Sequence, residues 1–481
     1  MRRRQSINII RQIAQWLICM ALAMPCGEVF AQTPTTWTVD SIRIEGNRRT
    51  KPYIILRELT GLFAGDTVRV DTALLFRQNA NQIYNTQLFL DARVRSVPTA
   101  DSTTHRRNII ITVSERWYTF PFPIIELADR SFNEWWYNRG ADLRRINYGI
   151  RFTQNNCRGR KETFKATFQW GFTHKLEAAY TIPYINRKLN SGLMLGISYI
   201  TNNNIAYITE NNKLLFFKND TKVARTRFIT RLAYDVRQHI FGSHHAEIGW
   251  ARNTVVDTVA RWLNPSYFGN GSKVQHFGYV AYRYSYDRRD RKPFARKGFY
   301  FIWEIEKWGL SPKANVQSGA TRLTFSYFKT LSPKWFWGIR TEAEWLFTPT
   351  LPYYNYKTLG YDMRVVRGYE KYVVEGRAPV LVKNSFRYKF LDKNWHYGGW
   401  KRIPNQFRSV PLQLYLQGHG DLGYVYQPQH EAINARLSNT LLAGVGAGLV
   451  VVTFYDLVFR FEYSLNRQGE RNMFFYLNTD I

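Results

Sequence analysis

The sequence predicts a mainly β protein: a transmembrane antiparallel β-barrel of about 16 strands preceded by a small α+β domain. Three observations lead there. From Trp117 onward apolar and polar residues alternate with a period of two. Beyond the N-terminal segment there is no run of the ~18 apolar residues that a spanning helix needs, so membrane entry requires a closed barrel. Aromatic residues make up 16% of the chain, and many stand near strand ends, where a lipid-facing wall carries its girdles.

The N-terminal stretch carries Arg2, Arg3, Arg4 and Arg11, then an apolar core from about Ile13 to Met24, then Val29-Phe30-Ala31. A basic start, a short apolar core and a small residue describe an export signal, residues 1–31, cleaved after Ala31. Cys19 and Cys26 leave with it, so Cys157 remains alone and no internal disulfide is expected. No Cys, Asp or Glu stands near His244-His245 at a zinc-like spacing, so neither metal nor cofactor is expected.

Net charge is +31, and removing residues 1–31 takes away four arginines and one glutamate and leaves +28. Cations and aromatics together suit nucleic acid, but the charge is spread along the chain rather than gathered in one patch. With an export signal in front, acidic lipid head groups are the expected partner and nucleic acid is not.

Trp37 to Glu115 reads as the small domain. Val39, Ile42 and Ile44 alternate with polar residues and stop at Gly46-Asn47, a strand and a turn. Lys51 to Leu59 has helical spacing, with Pro52 in the first turn. "GLFAGDTV" reads as a loop, and Asp71 as the cap of a second helix with Leu74, Leu75, Ile83 and Leu88 on or near one face. "DARVRSV" and "RNIIITVSE" are closing strands. The order is strand, helix, helix, strand, strand.

Beyond it the strands are explicit. "TFKATFQW" sets Phe164, Ala166, Phe168 and Trp170 against Lys165, Thr167 and Gln169. "WFWGIRTEAEWLF" sets Trp335, Trp337, Ile339, Ala343 and Trp345 against Arg340, Glu342 and Glu344, and "LVFRFEYS" sets Phe459, Phe461 and Tyr463 against Arg460 and Glu462. Each strand has one apolar and one polar face. Residues 117–481 contain no linkers that would divide a series of sandwich domains. At roughly 23 residues per strand and connection they supply about 16 strands. Glu342 with Glu344, and the run Asp287 to Arg291, read as wall and strand-end charges rather than acid–base pairs. No enzyme is expected.

Several motifs then point to a family. The element order of the small domain, with "IRIEGNRRT" at its start and "GD" before the second helix, resembles a polypeptide-transport-associated (POTRA) domain over 37–116. "YDRRDRKPFARKGFYF" (Asp287, Arg289, Asp290, Pro293, Gly298), "VVRGYEKY", "GHGDLGYVY" and "GVGAGLVVVTFYDLVFRFEYS" resemble, in order, motifs of the outer-membrane assembly-factor superfamily that includes BamA and TamA. His419 departs from the usual Phe or Gly of the third motif. The resemblance implies a sixth extracellular loop folded into the lumen, with Arg367 reaching Asp421, Gly368 turning the backbone, Tyr369 packing beside the pair, and Gly423 completing the wall motif. It implies an outer-membrane location with the small domain in the periplasm. The implied function is insertion of unfolded β-barrel clients, with membrane lipid, periplasmic chaperones and accessory lipoproteins as partners. A translocator of the two-partner-secretion type, or a porin-like barrel without protein clients, are the other readings. "YTFPFPIIE" reads as the first barrel strand. Its Pro121 and Pro123 lack N–H groups, which would weaken closure against the last strand, Met473 to Ile481, at Phe475 and Leu477.

Overall fold

A computed structural model describes residues 36–69, 72–99, 105–127, 135, 140–219, 222–361, 364–396, 409–428, 436–454 and 457–477. The export segment, the expected cap Asp71 and the end of the last strand lie outside them.

The small domain runs β1 (Thr36–Glu45), α1 (Pro52–Leu56), β2 (Thr67–Arg69), α2 (Ala73–Tyr84), β3 (Phe89–Pro98) and β4 (Arg106–Glu115). Its sheet has the order β2-β1-β4-β3, with β1 parallel to β4. Trp37, Val39, Ile54, Ile55, Ile83, Phe89, Ile109 and Ile111 form its core. Three expectations need correction. The stretch expected as loop contains β2, whose three residues are too few to carry an alternation signal. The residue at the N-cap of α2 is Thr72. Leu74 is 54% exposed, because on α2 the neighbouring Leu75 and the distant Ile83 turn to the core and Leu74 turns off it.

The barrel strands are β5 (Thr119–Leu127), β6 (Ile146–Cys157), β7 (Glu162–Gly171), β8 (Thr173–Ile182), β9 (Ser191–Asn202), β12 (Arg225–Arg237), β13 (Gly242–Val255), β14 (Val274–Asp287), β15 (Gly298–Trp308) and β16 (Ser318–Thr330), then β17 (Trp335–Leu346), β18 (Ala378–His396), β19 (Ser409–Tyr426), β20 (Leu442–Val452), β21 (Val458–Asn466) and β22 (Arg471–Leu477). They form one 16-stranded antiparallel meander from β5 to β22. Between β9 and β12 a separate hairpin, β10 (Asn204–Glu210) and β11 (Lys213–Lys218), rises at the loop end. Its turn residue Asn212 is buried and ties two other loops together: its carbonyl accepts from Val373 N–H at 2.9 Å, its Nδ2 donates to Val373 O at 3.0 Å, and its Oδ1 accepts from Leu437 N–H at 2.9 Å.

The two faces of the wall follow the pleat. Phe168, Trp170, Trp345, Phe461 and Tyr463 are exposed on the outside. Glu342, Glu344, Arg460 and Glu462 are buried on the inside. The interior carboxylates are matched by arginines: Arg340 lies 2.5 Å from Glu342, and Arg322 lies 2.6 Å from Glu344, which also bonds Arg364. Asp287 takes a two-bond fork from Arg289 at 2.9 and 2.8 Å. Each of these acids has an arginine partner.

The small domain is seated on the barrel end opposite the loops. Arg237, the last residue of β12, donates to both oxygens of Glu58 at 2.6 and 2.7 Å. Arg57 donates to Glu58 at 2.8 Å and to Tyr184 Oη at 2.9 Å, between β8 and β9. Asn156 donates to Thr50 at 2.9 Å, and Asn85 exchanges hydrogen bonds with Asp290 O and Lys292 N–H, each at 3.2 Å. Turns from β6 through β15 therefore hold the domain. Burial alone would push the Glu58 carboxyl up, but the hydrogen bonds from Arg237, with the charges of Arg237, Lys161 and Arg57, hold it at about 2.

Candidate functional site: the lumen loop and the strand seam

The segment between β17 and β18 is the sixth connection at the loop end, and it folds back into the barrel. Leu359, Val366, Tyr369 and Val374 of this loop pack with Leu381, Val425 and Leu442 of the wall and Leu437 of the next loop. Beside this apolar cluster stands a buried polar one. Arg367 donates from Nε to Asp421 Oδ2 at 2.7 Å and from Nη2 to Oδ1 at 2.6 Å, and its backbone N–H also reaches Oδ2 at 3.1 Å. Nη1 donates to Glu462 at 3.3 Å, and Nη2 to Ser385 Oγ at 3.2 Å. Both side chains of the fork are essentially inaccessible, at 2% and 0%. A planar guanidinium on a carboxylate fixes orientation as well as distance.

Glycine permits the approach in two ways. Gly368 has φ +99°, a conformation that L side chains rarely adopt, and its carbonyl accepts from Asn466 Nδ2 at 2.9 Å. Across from it, a Cβ on Gly444 of β20 would stand 1.8 Å from the Arg367 carbonyl oxygen, so the loop lies directly on the backbone of that strand. His419 packs over Gly446 and meets Ser464 Oγ at 3.0 Å, so the departure from the motif occupies the inner wall without displacing the fork. Tyr369 is 3% exposed. Gly423 lies under Val366, which a Cβ there would meet at 2.4 Å.

Sequence reasoning missed the residues that surround this anchor. Glu370 accepts from Gly368 N–H at 2.8 Å and from Tyr476 Oη at 2.9 Å, which ties the loop to β22. Glu462 was legible as an inward residue of β21, but a period-two pattern says nothing of a partner 95 residues away. Glu370 lies within the quoted motif, and its acid among valines and tyrosines is the signal that was available.

The seam residues lie elsewhere, on the first and last strands. Tyr118 O accepts from Asn155 N–H at 2.7 Å, and the register onward is unbroken, with Pro121 opposite Phe152 and Pro123 opposite Ile150. In an antiparallel ladder, hydrogen-bonded positions alternate. Positions at even spacing from Tyr118 therefore turn their backbone groups to β6, and Pro121 and Pro123, at odd spacing, occupy the edge away from β6. Both are exposed. On β22, Asn466 N–H donates to Glu470 O at 3.1 Å and sets the same alternation. Phe475 and Leu477 thus point backbone groups away from β21, and the Phe475 side chain is 53% exposed. Among the described residues no ladder joins β5 to β22. Nor do the described residues contain a group of three or more His, Cys, Asp and Glu able to hold a metal ion.

Residues 37–116 match the family model described as POTRA, surface antigen variable number repeat. No curated protein matches the chain. Among solved structures, the chain is similar to BamA from Haemophilus ducreyi lacking POTRA domains 1–3, with a TM-score of 0.51 and 14% identity over 92% of this chain and 85% of that one. It is also similar to CdiB from Escherichia coli, with a TM-score of 0.56 and 10% identity over 91% and 75%. These likenesses fix the fold: one POTRA domain in front of a 16-stranded barrel of the BamA and CdiB type.

Proposed function

We propose that this chain, with the fold shared by BamA and CdiB and one POTRA domain ahead of the barrel, is an outer-membrane assembly factor. It receives unfolded β-barrel clients on the periplasmic side and promotes their insertion into lipid. The observation that carries the reading is the edge of β5, where two of the residues facing away from β6 are prolines and no described ladder reaches β22. A barrel that closes weakly at one place has a strand edge on which an incoming chain can pair. The docked domain leaves this edge at the periplasmic rim, and periplasmic chaperones or accessory lipoproteins would deliver clients there.

The lumen supports the same reading over transport through the pore. The loop is fastened by Arg367 to two carboxylates and by Gly368 to Asn466, and Asn212 closes over it from the loop end. A translocator of the two-partner-secretion type would have to break this whole set. Depletion distinguishes the readings. Loss of many outer-membrane proteins supports assembly, loss of one secreted protein supports translocation, and an unchanged profile leaves a porin-like barrel.

A further inference from the structure

Two wall strands are longer than the wall. β17 pairs with β18 only as far as Trp335 opposite Tyr388, and β20 pairs with β19 only as far as Val452 opposite Gln413. Past these points β18 and β19 continue as a hairpin, from Lys393 opposite Leu412 to His396 opposite Ser409. At about 3.3 Å per residue the ribbon extends the strands by ~13 Å. It projects at the end where the POTRA domain sits.

The ribbon has two different faces. On the face continuous with the lumen, Asp392 accepts from Lys389 at 2.6 Å and from Gln413 at 3.1 Å. The face continuous with lipid-facing Phe386 and Leu416 passes Leu391 and Leu414 at the rim and then carries Lys393 and Trp395 on one strand and Val410 and Leu412 on the other. Phe390, at the bulge that precedes the extension, is 45% exposed and Trp395 is 46% exposed. The interfacial girdle already lies at the rim, where the Trp335 and Tyr388 rings are 4.9 Å apart. A ribbon hanging below it in water would need polar residues on both faces, and a lone two-stranded ribbon is marginal there. This one keeps an apolar face in unbroken continuity with the surface that meets lipid, ending in a tryptophan and flanked by a lysine. Those residue types anchor at the boundary between acyl chains and head groups.

We propose that this face of the β18–β19 extension is a membrane-binding surface, laid into the headgroup layer of the domain-side leaflet, with Trp395 as its far anchor and Lys393 toward anionic phosphates. It extends the barrel's lipid contact sideways beyond the wall and fixes how the rim sits in that leaflet. The net charge, +28 without residues 1–31, matches an anionic surface.

The test uses the full chain with Cys19, Cys26 and Cys157 replaced by serine, folded into vesicles of phosphatidylethanolamine and phosphatidylglycerol. Single cysteines at Trp395→Cys or Leu412→Cys on one face, and at Asn394→Cys on the other, carry an environment-sensitive fluorophore. Retention of a compact, heat-modifiable band certifies each barrel. With brominated acyl chains, labels at 395 and 412 should shift to the blue and lose most of their emission, while the label at 394 keeps its own. Three outcomes overturn the proposal: no quenching at any site, equal quenching on both faces, or a blue shift at 395 and 412 without quenching. The last means that protein, not lipid, covers the face.

Discussion

Arg237 and Glu58 stand 179 residues apart in sequence and meet through two hydrogen bonds of 2.6 and 2.7 Å, with the Glu58 side chain only 3% exposed. This fork joins the POTRA domain to the barrel, and it has a pH signature. Glu58 faces Arg237, Arg57, Lys161 and Tyr184, and its carboxyl is held at about 2 against an ordinary 4.5. The folded value is depressed, so the contribution is complete above about 4.5 and disappears as pH falls through 2. It amounts to about 3 kcal/mol. Protease cleavage between domain and barrel should accelerate between pH 4.5 and 2. Glu58→Gln should be cleaved faster at neutral pH and lose that dependence.

The lumen fork predicts coupling. Arg367→Ala and Asp421→Ala should each loosen the loop by about 3–5 kcal/mol, because either change leaves a buried charge without its partner. The double variant should be little worse than either single one. Limited proteolysis of the loop reads both, and strictly additive effects would remove the contact.

Gly444→Ala tests the close approach from the other side. A methyl group 1.8 Å from the Arg367 carbonyl oxygen cannot be accommodated without moving the loop. Protease sensitivity of the loop should rise while barrel heat-modifiability persists. Unchanged sensitivity would mean that the loop does not rest on β20.

Deleting residues 37–115 should leave a membrane-embedded barrel, since the wall satisfies its own backbone, and should abolish client assembly. Full assembly activity in the truncated protein would refute the receiving role of the domain.

Replacing Pro121 and Pro123 with valine should strengthen closure. Cysteine pairs across β5 and β22 should cross-link more completely, at about 1 kcal/mol for each bond gained, and client assembly should fall. Unchanged cross-linking with unchanged assembly would separate the prolines from the seam.

Much of this architecture was legible because its signals are local or periodic. Period two gave the faces of the wall, and the aromatic load together with chain length gave the strand number. The POTRA strands were legible except β2, which is too short for a pattern. Leu74 was misassigned because it lies nine residues, or two and a half helical turns, from Ile83 and so on the opposite side of α2. What pairs over long distances was not legible from pattern alone. Arg367 and Asp421 came through a resemblance of motifs, whereas Glu58 with Arg237, Asn212 with Val373, and Glu370 with Tyr476 carry no signal of their meeting. The β18–β19 extension was hidden by Phe390 and Leu391, adjacent apolar residues at the bulge that break the alternation where the ribbon leaves the wall.

The prolines of β5 also make the seam chemically lopsided. A residue whose backbone faces a strand edge offers one donor and one acceptor to that side. Pro121 and Pro123 offer acceptors alone, so the edge of the first strand carries more carbonyls than N–H groups. Valine there would restore parity, and a second copy of the same edge would only double the excess. Any proline-free strand, β22 included, offers donors and acceptors in equal number, so two of its carbonyls go unpaired against this edge. The edge is thereby one that any partner strand leaves easily.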